Sequence, residues 1–351
     1  MTESPAVTLS GAHRGSIPAT LVLTREDVVR LLPISACIEA VERGFQRHAR
    51  GESIAPGILG AHVDGGGFHV KTAGLRDAVE GRPMFAAKVN ANFPANPDRR
   101  GLPTIQGVIA LFDAADGRVL ALLDSIEITS LRTAAATAVA AKYLAPPGGI
   151  VTVCGCGEQS RYQLRALACV RPLRRVMAFD LHAARAARFA EDVAAELKVE
   201  TAVIREPAEA AGDTDIWITC TTARRWFLGR PHVATGAFVA AVGADNPEKQ
   251  ELEPELLARN AVVADVLDQC ATIGDLHHAI AAGLMGREQV RAELADIVSG
   301  RKSGRLSTEE IVIFDSTGTA VQDVAAAALV YQRARSSGAG LTVRLGGGRD
   351  G

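Results

Sequence analysis

The amino-acid sequence predicts an α/β protein in which a doubly wound parallel sheet is joined to a mixed α+β domain. Two patterns carry that expectation. From about residue 150 onward, short apolar runs rich in β-formers alternate with helical periodicity, as helices covering both faces of a parallel sheet require. Between residues 54 and 124 the hydrophobic period is instead close to two, the mark of strands with one face in a core. A chain of 351 residues also outgrows a single hydrophobic core, so two domains are expected.

Taken in order, Thr24 and Asp27 form an N-terminal capping pattern for a first helix, which Pro33 breaks. Ser35 is expected to cap a second helix that places Ile38, Val41 and Phe45 on one face and stops at Gly51. Residues 68–73, 85–93, 104–112 and 119–123 read as strands of an antiparallel sheet, with Asp116-Gly117 as a hairpin turn. An Ala-rich helix follows over 127–144 and ends against Pro146-Pro147-Gly148-Gly149. Strands are then expected at 150–154, 175–180, 215–221, 237–243 and 261–266, with helices at 159–170, 183–197 and 272–284. A last strand at 311–315 leads into a helix over 320–333, and the Gly-rich tail from Ser336 is expected to be loose.

Lysine and arginine are scattered among acids, and the net charge is −2, so nucleic acid is not an expected partner. No apolar run reaches the roughly 18–20 residues that span a bilayer, and the N-terminal residues lack a basic-then-apolar secretory pattern. Cys37, Cys154, Cys156, Cys169, Cys220 and Cys270 include no C-x-x-C pair and no accompanying histidine cluster. They are expected to be reduced, packed thiols of a cytoplasmic protein, and no metal is expected.

The most informative segment is the apolar run 150–154 leading into Gly155-Cys156-Gly157-Glu158-Gln159-Ser160 and then a helix. A lone G-x-G is usually only a turn. Here a strand precedes it, a helix follows, and a second strand ends at Asp180, which together make the fingerprint of a Rossmann-type dinucleotide-binding domain. Gly155 permits the tight turn, and Gly157 lets the backbone approach a pyrophosphate at a helix N-terminus. A carboxylate at Asp180 suits the ribose hydroxyls of NAD; Arg185 nearby keeps NADP open.

Other polar residues stand in apolar patterns. On the strand 85–93, Lys88, Asn90 and Asn92 share the face opposite Phe85, Ala87, Val89 and Ala91, and spacing alone favours solvent exposure for it. His69 and Lys71 share a face on the preceding strand, so two lysines on neighbouring strands are available to hold a carboxylate. Arg132 near the start of the Ala-rich helix is either an exposed first-turn arginine or, with the helix N-terminus, an anion site. Asp245 follows a strand of the parallel sheet, where ligands sit in such folds; it is either a turn aspartate or a proton-transfer group for a substrate amine. His277-His278, with no partner cluster, is expected to be structural.

Five segments in order make the chain resemble the ornithine cyclodeaminase/μ-crystallin family, which includes alanine dehydrogenases and ketimine and imine reductases. They are Lys88-Val89-Asn90 with Asn96 and Gly101-Leu102-Pro103-Thr104; Ile128-Thr129-Ser130-Leu131-Arg132-Thr133-Ala134-Ala135; Gly155-Cys156-Gly157-Glu158-Gln159; Val242-Gly243-Ala244-Asp245-Asn246-Pro247-Glu248-Lys249; and Phe314-Asp315-Ser316-Thr317-Gly318. The resemblance implies that Lys88 contacts the substrate carboxylate or carbonyl, Arg132 bridges substrate and cofactor, and Asp245 is the acid/base on nitrogen. It also implies that Thr317 lies by the substrate. Thr104, Glu158, Gln159, Asp180, Thr221, Val242, Lys249 and Ser316 would approach the dinucleotide. By the same resemblance, residues 1–131 with 318–351 form a substrate and dimerisation domain, 132–317 form the Rossmann domain, and a homodimer closes the sheet into a barrel. The chain departs from the family at Pro56, which Gly57 follows in place of a usual arginine, and Lys71 is the candidate to replace that charge.

The expected activity is hydride transfer between NAD, or NADP, and Cα of a small amino acid or its imine, with a 2-oxo acid on the oxidised side. Two alternatives stand: redox-neutral cyclodeamination of ornithine, and a dinucleotide-bound protein that only binds a small ligand.

Overall fold

The computed structural model describes residues 19–345. Residues 1–18 and 346–351, on which the secretory-signal expectation and part of the expected loose tail rest, lie outside the described residues.

The described residues form two large sheets and a small parallel pair, Arg224–Leu228 with Gln250–Leu252. The first has seven strands in the spatial order Leu341–Val343, Thr20–Leu23, Val119–Asp124, Ile105–Asp113, Arg82–Asn92, Gly66–Val79, Ser53–Val63. All its pairings are antiparallel except that of Thr20–Leu23 with Val119–Asp124. Thr24 and Asp27 cap the helix Arg25–Leu31 reciprocally, as read from the sequence. The helix Ile34–Ala49 starts one residue after Pro33, so Ser35 lies inside it and caps nothing; proline's fixed φ opens the helix instead. Gly117 takes the left-handed φ of +78° that the hairpin turn at Asp116-Gly117 needs.

The second sheet has eight strands, every pairing parallel, in the order Ala292–Glu293, Ala261–Ala264, Val312–Asp315, Phe238–Ala241, Ile216–Thr219, Ile150–Cys154, Arg175–Phe179, Glu200–Val203. The chain runs outward from Ile150–Cys154 to one side and returns to pair Ile216–Thr219 on the other. The order therefore reverses between those two strands, and a crevice opens beyond their carboxyl ends. The expected helix over 272–284 is two short ones, Leu267–Ile273 and Asp275–Ala281, broken at Gly274. The expected loose tail is also corrected: the last helix continues to Ser337, Gly338 ends it in a left-handed conformation, and Leu341–Val343 pairs with Thr20–Leu23.

The helix Ser125–Leu144 joins the two sheets. Asp124 caps it, accepting from Ile126 N at 3.0 Å and Glu127 N at 3.4 Å, and 15 of its 20 residues are buried. A helix buried on nearly all sides needs small residues, which explains the run Ala134–Ala141 with only Thr137 and Val139 larger. The helix Ala320–Ser337 packs on the inner face of the seven-stranded sheet, beside the strands Gly66–Val79 and Arg82–Asn92. All six cysteines are free thiols; four are buried, but Cys220 is only half-buried and Cys169 is exposed, against the expectation that all are packed.

Candidate active site

The carboxyl ends of the parallel strands carry the loop residues singled out in the sequence. Gly155 has φ +94°, and a Cβ there would stand 2.6 Å from the Cys220 carbonyl and 2.8 Å from Thr221 Cγ2. Only glycine fits between the two diverging loops at the switch point. A Cβ at Gly157 would meet nothing within 4 Å, so the start of the helix Glu158–Val170 faces open space. That is a cradle suited to a pyrophosphate. Asp180, just past its strand, accepts from Cys156 N at 2.9 Å and His182 N at 2.9 Å, and Arg185 Nη1 is 3.7 Å away. These contacts hold the carboxylate at the rim where the ribose of a dinucleotide belongs.

The neighbouring loops are tied together by buried acids. Glu251 accepts from Thr219 Oγ1 at 2.7 Å, Thr221 N at 2.5 Å and Gly243 N at 2.9 Å, joining the loops that carry Thr221 and Val242. Burial, then the nearby Asp275 charge, pushes its carboxyl above the ordinary range. Asp265 accepts from Ser316 Oγ at 3.0 Å, Gly318 N at 2.7 Å and Thr317 Oγ1 at 3.4 Å, fixing the loop 316–318. His278 Nε2 is 2.8 Å from the Lys249 carbonyl, so this histidine supports the loop that ends at Lys249. Asp245 pairs with Lys249 Nζ at 2.7 Å and has about half its side chain exposed (54 %), so it faces an open cleft. Burial works to raise its carboxyl, but the Lys249 charge and hydrogen bond outweigh that and leave it below the ordinary value.

The polar face of the strand Arg82–Asn92 is not the solvated face that spacing favoured. Lys88 is 2 % exposed and points inward at the helix Ala320–Ser337, because the outward face of this sheet is the apolar one. Its Nζ donates to Asp323 Oδ1 at 2.8 Å and lies 2.7 Å from Oδ2. Lys71 is its direct cross-strand partner, and Lys71 Nζ donates to the carbonyls of Thr317 at 3.0 Å and Gly318 at 2.7 Å. Arg132 is 4 % exposed and is the eighth residue of its helix, not a first-turn residue. It therefore makes no joint site with the helix N-terminus, where Asp124 takes the Ile126 and Glu127 N–H groups. Its Nη1 donates to Gln322 Oε1 at 2.7 Å, and its Nε stands 2.9 Å from Asp323 Oδ1.

Electrostatics follow from that packing. Burial, then repulsion from Arg132, pushes the Lys88 ammonium down to about 7, with Asp323 opposing. Lys71 is pushed below its ordinary value by burial and then by Arg132. Burial acts to raise the Asp323 carboxyl, but the Lys88 and Arg132 charges together hold it below the ordinary range. Arg132 Nε, Gln322 Nε2 and Asp323 Oδ2 are buried and lack an aligned hydrogen-bond partner, so polar capacity is left over in this one cluster.

The structure thus brings Lys71, Lys88, Arg132 and Thr317 together, with Asp245 across from Lys71 and His69, on whose titration its charge acts. Gln159 reaches the same helix as Arg132, donating to the Ser130 carbonyl at 3.1 Å. Glu158 is exposed and meets Arg25 Nη2 at 3.1 Å. Thr104 lies half-buried just before the strand Ile105–Asp113, and no polar side-chain contact joins it to the cluster. Sequence reasoning missed Gln322 and Asp323. The signal was present: they are adjacent polar residues inside the otherwise apolar run 320–328.

Comparison with known proteins agrees with this architecture. The Ornithine cyclodeaminase/mu-crystallin family model matches residues 19–338. The alanine dehydrogenase of Archaeoglobus fulgidus is 36 % identical over 330 residues, covering 93 % of this chain and 98 % of that protein. Among solved structures, an archaeal alanine dehydrogenase dimer with bound NAD superposes with a TM-score of 0.87 at 34 % identity, covering 93 % of this chain and 99 % of that one. The Δ1-pyrroline-2-carboxylate reductase of Thermococcus litoralis, in complex with NADH and L-proline, gives 0.86 at 31 % identity, covering 92 % of this chain and all (100 %) of that one. With its motifs in order on this fold, the chain belongs to the ornithine cyclodeaminase/mu-crystallin family.

Proposed function

We propose that this protein is an NAD-dependent oxidoreductase acting at Cα of a small amino acid or its imine. The observation that carries the reading is the convergence of Lys88, Arg132 and Lys71 beside the crevice of the dinucleotide sheet, with Asp245 open to the same cleft. The Gly157 cradle and the oriented Asp180 carboxylate suit NAD rather than a 2′-phosphorylated dinucleotide. Two relatives of this fold are described with NAD and with NADH.

When bound, the dinucleotide supplies hydride transfer at C4 of its nicotinamide. Lys88 and Arg132 hold the substrate carboxylate, which places Cα at the crevice mouth. Lys71 adds a third cation where Gly57 leaves out the family's usual arginine. Asp245, exchanging its Lys249 partner for the substrate nitrogen, takes or gives the proton there. Thr317 closes the floor of the pocket, and Ser316, Thr221, Val242, Gln159, Glu158, Thr104 and Lys249 flank the dinucleotide.

We further propose a cytoplasmic homodimer, with the seven-stranded half and the last helix as the substrate and dimerisation domain. Among the described residues, no helix is long and apolar enough to cross a membrane. The outer face of the seven-stranded sheet exposes Leu59, Val63, Phe68, Val89 and Val108, an apolar patch of the kind that marks an interface. The archaeal relative is described as a dimer.

The test is NADH and NADPH consumption with cyclic imines, and with 2-oxo acids plus ammonia or methylamine. Turnover with a preference for NADH is expected. Silence across the panel with dinucleotide binding intact would refute net redox chemistry and leave redox-neutral cyclodeamination or simple ligand binding.

A further inference from the structure

Asp323 lies within the proposed carboxylate site but has no part in the chemistry above. It is 1 % exposed, Lys88 Nζ spans both of its oxygens, and Arg132 Nε stands against Oδ1. A carboxylate so enclosed, and so nearly cut off from solvent, faces the two cations and not a substrate proton. We propose that Asp323 is the positioning carboxylate of the site: it aligns Lys88 and Arg132 on one substrate carboxylate and supplies the countercharge that lets both stay charged side by side. This inference rests on the reading that Lys88 and Arg132 bind that carboxylate.

Each element around the cluster leaves the task to Asp323. The sheet contributes only cations, Lys88 and Lys71. The helix Ser125–Leu144 contributes Arg132. The helix Ile34–Ala49 contributes Cys37, fully buried, whose thiol burial pushes up to about 12 and so keeps neutral. On its own helix the neighbour is Gln322, a neutral acceptor for Arg132. Asp265 and Asp245 act on Lys71 from across the cleft, but Asp265 is spent on Gly318 N and Ser316 Oγ, and Asp245 on Lys249. Among the described residues, Asp323 alone pairs with both Lys88 and Arg132. Stability does not explain a buried carboxylate here, since well-packed apolar groups usually replace a buried ion cluster at little or no cost.

The experiment measures pyruvate binding to the NADH-loaded protein across the pH range, by NADH fluorescence, for wild type, Asp323→Asn and Asp323→Glu. Wild-type affinity is expected to fall as pH rises through about 7, where Lys88 loses its proton. Asparagine cannot stabilise the ammonium, so this break should move to lower pH by about one unit or more, with about 30-fold weaker binding at neutral pH. NADH affinity should stay near wild type. The glutamate variant keeps the charge but displaces the cations: its break should stay in place while affinity drops about tenfold. An unmoved break or wild-type affinity in Asp323→Asn would overturn the proposal. So would a shifted break or wild-type affinity in Asp323→Glu, which decides the matter should the asparagine variant fail to fold. A wild type that binds no carboxylate takes the functional reading and this inference down together; one that binds it, with indifferent variants, sinks only the role of Asp323.

Discussion

Gly318→Ala is a small change with a large expected effect on catalysis and a modest one on stability. Gly318 has φ +76°, a conformation that costs an L residue roughly 1–2 kcal/mol. For a chain of this size that lowers Tm by only a few degrees. The functional cost has a different origin. A Cβ at position 318 would collide with Arg132 Nη1 and stand 3.0 Å from both Nη2 and Cζ. The guanidinium is the mobile partner, so it swings away, and its contacts to Gln322 Oε1 and Asp323 Oδ1 go with it. Each charge-assisted hydrogen bond lost from the substrate carboxylate is worth roughly 1.5–3 kcal/mol, or about 10- to 150-fold in kcat/KM. NADH affinity, which the proposed function assigns largely to Gly155, Gly157 and Asp180, should stay close to wild type. The assay is imine reduction followed by NADH absorbance, with thermal melts and NADH titrations alongside. A variant that keeps kcat/KM within about twofold would show that Arg132 need not occupy its observed place.

Other expectations follow from the same geometry. Lys88 has its folded-state pKa near 7, below its unfolded value, so the unfolded chain binds more protons between there and about 10. Wild type should therefore gain stability relative to Lys88→Met as pH rises from 7 to 9, and parallel melting curves across that window would contradict the assignment. Activity should move the opposite way, kcat/KM falling through the same window as the ammonium loses its proton. Lys71→Ala should raise the substrate KM about tenfold or more by removing one charged contact, and an unchanged KM would exclude Lys71 as the substitute for the missing arginine. Val108→Glu places a charge on the exposed apolar sheet face and should halve the mass measured by light scattering; a wild-type mass would move the dimer contact elsewhere.

Element types were legible in the sequence wherever a pattern is local. The capping pair at Thr24 and Asp27, the turn at Gly117 and the strand–glycine–helix unit at 150–170 depend on neighbours a few residues apart. What escaped depends on distant partners. The break at Gly274 is set by Asp315, whose Oδ2 would lie 2.5 Å from a Cβ there and which caps the next helix at Leu276 N, 2.9 Å away. Nothing near residue 274 announces it. Likewise Thr20–Leu23 and Leu341–Val343 are short, and they become strands only beside distant partners: each other and, for Thr20–Leu23, also Val119–Asp124. Spacing placed Lys88 on a polar face, but whether that face met solvent or a helix depended on Ala320–Ser337, far along the chain. Gln322 and Asp323 in that helix hold Lys88 and Arg132, and their isolation among alanines and valines was the one trace the sequence carried.

The helix Ser125–Leu144 has a mechanical consequence. Its Ser130 carbonyl is bonded to Gln159, at the dinucleotide loop, and its Glu127 carboxylate accepts the Tyr162 hydroxyl at 2.9 Å. Arg132 is therefore anchored to the nucleotide half of the molecule, whereas Lys71 and Lys88 ride on the opposite sheet. Because Asp323 ties Arg132 to Lys88 in turn, the proposed carboxylate grip and the dinucleotide loop are linked through one continuous strut. On the proposed function, that strut sets where Cα stands relative to the cofactor, so the hydride distance is gauged by the helix and not by a loop.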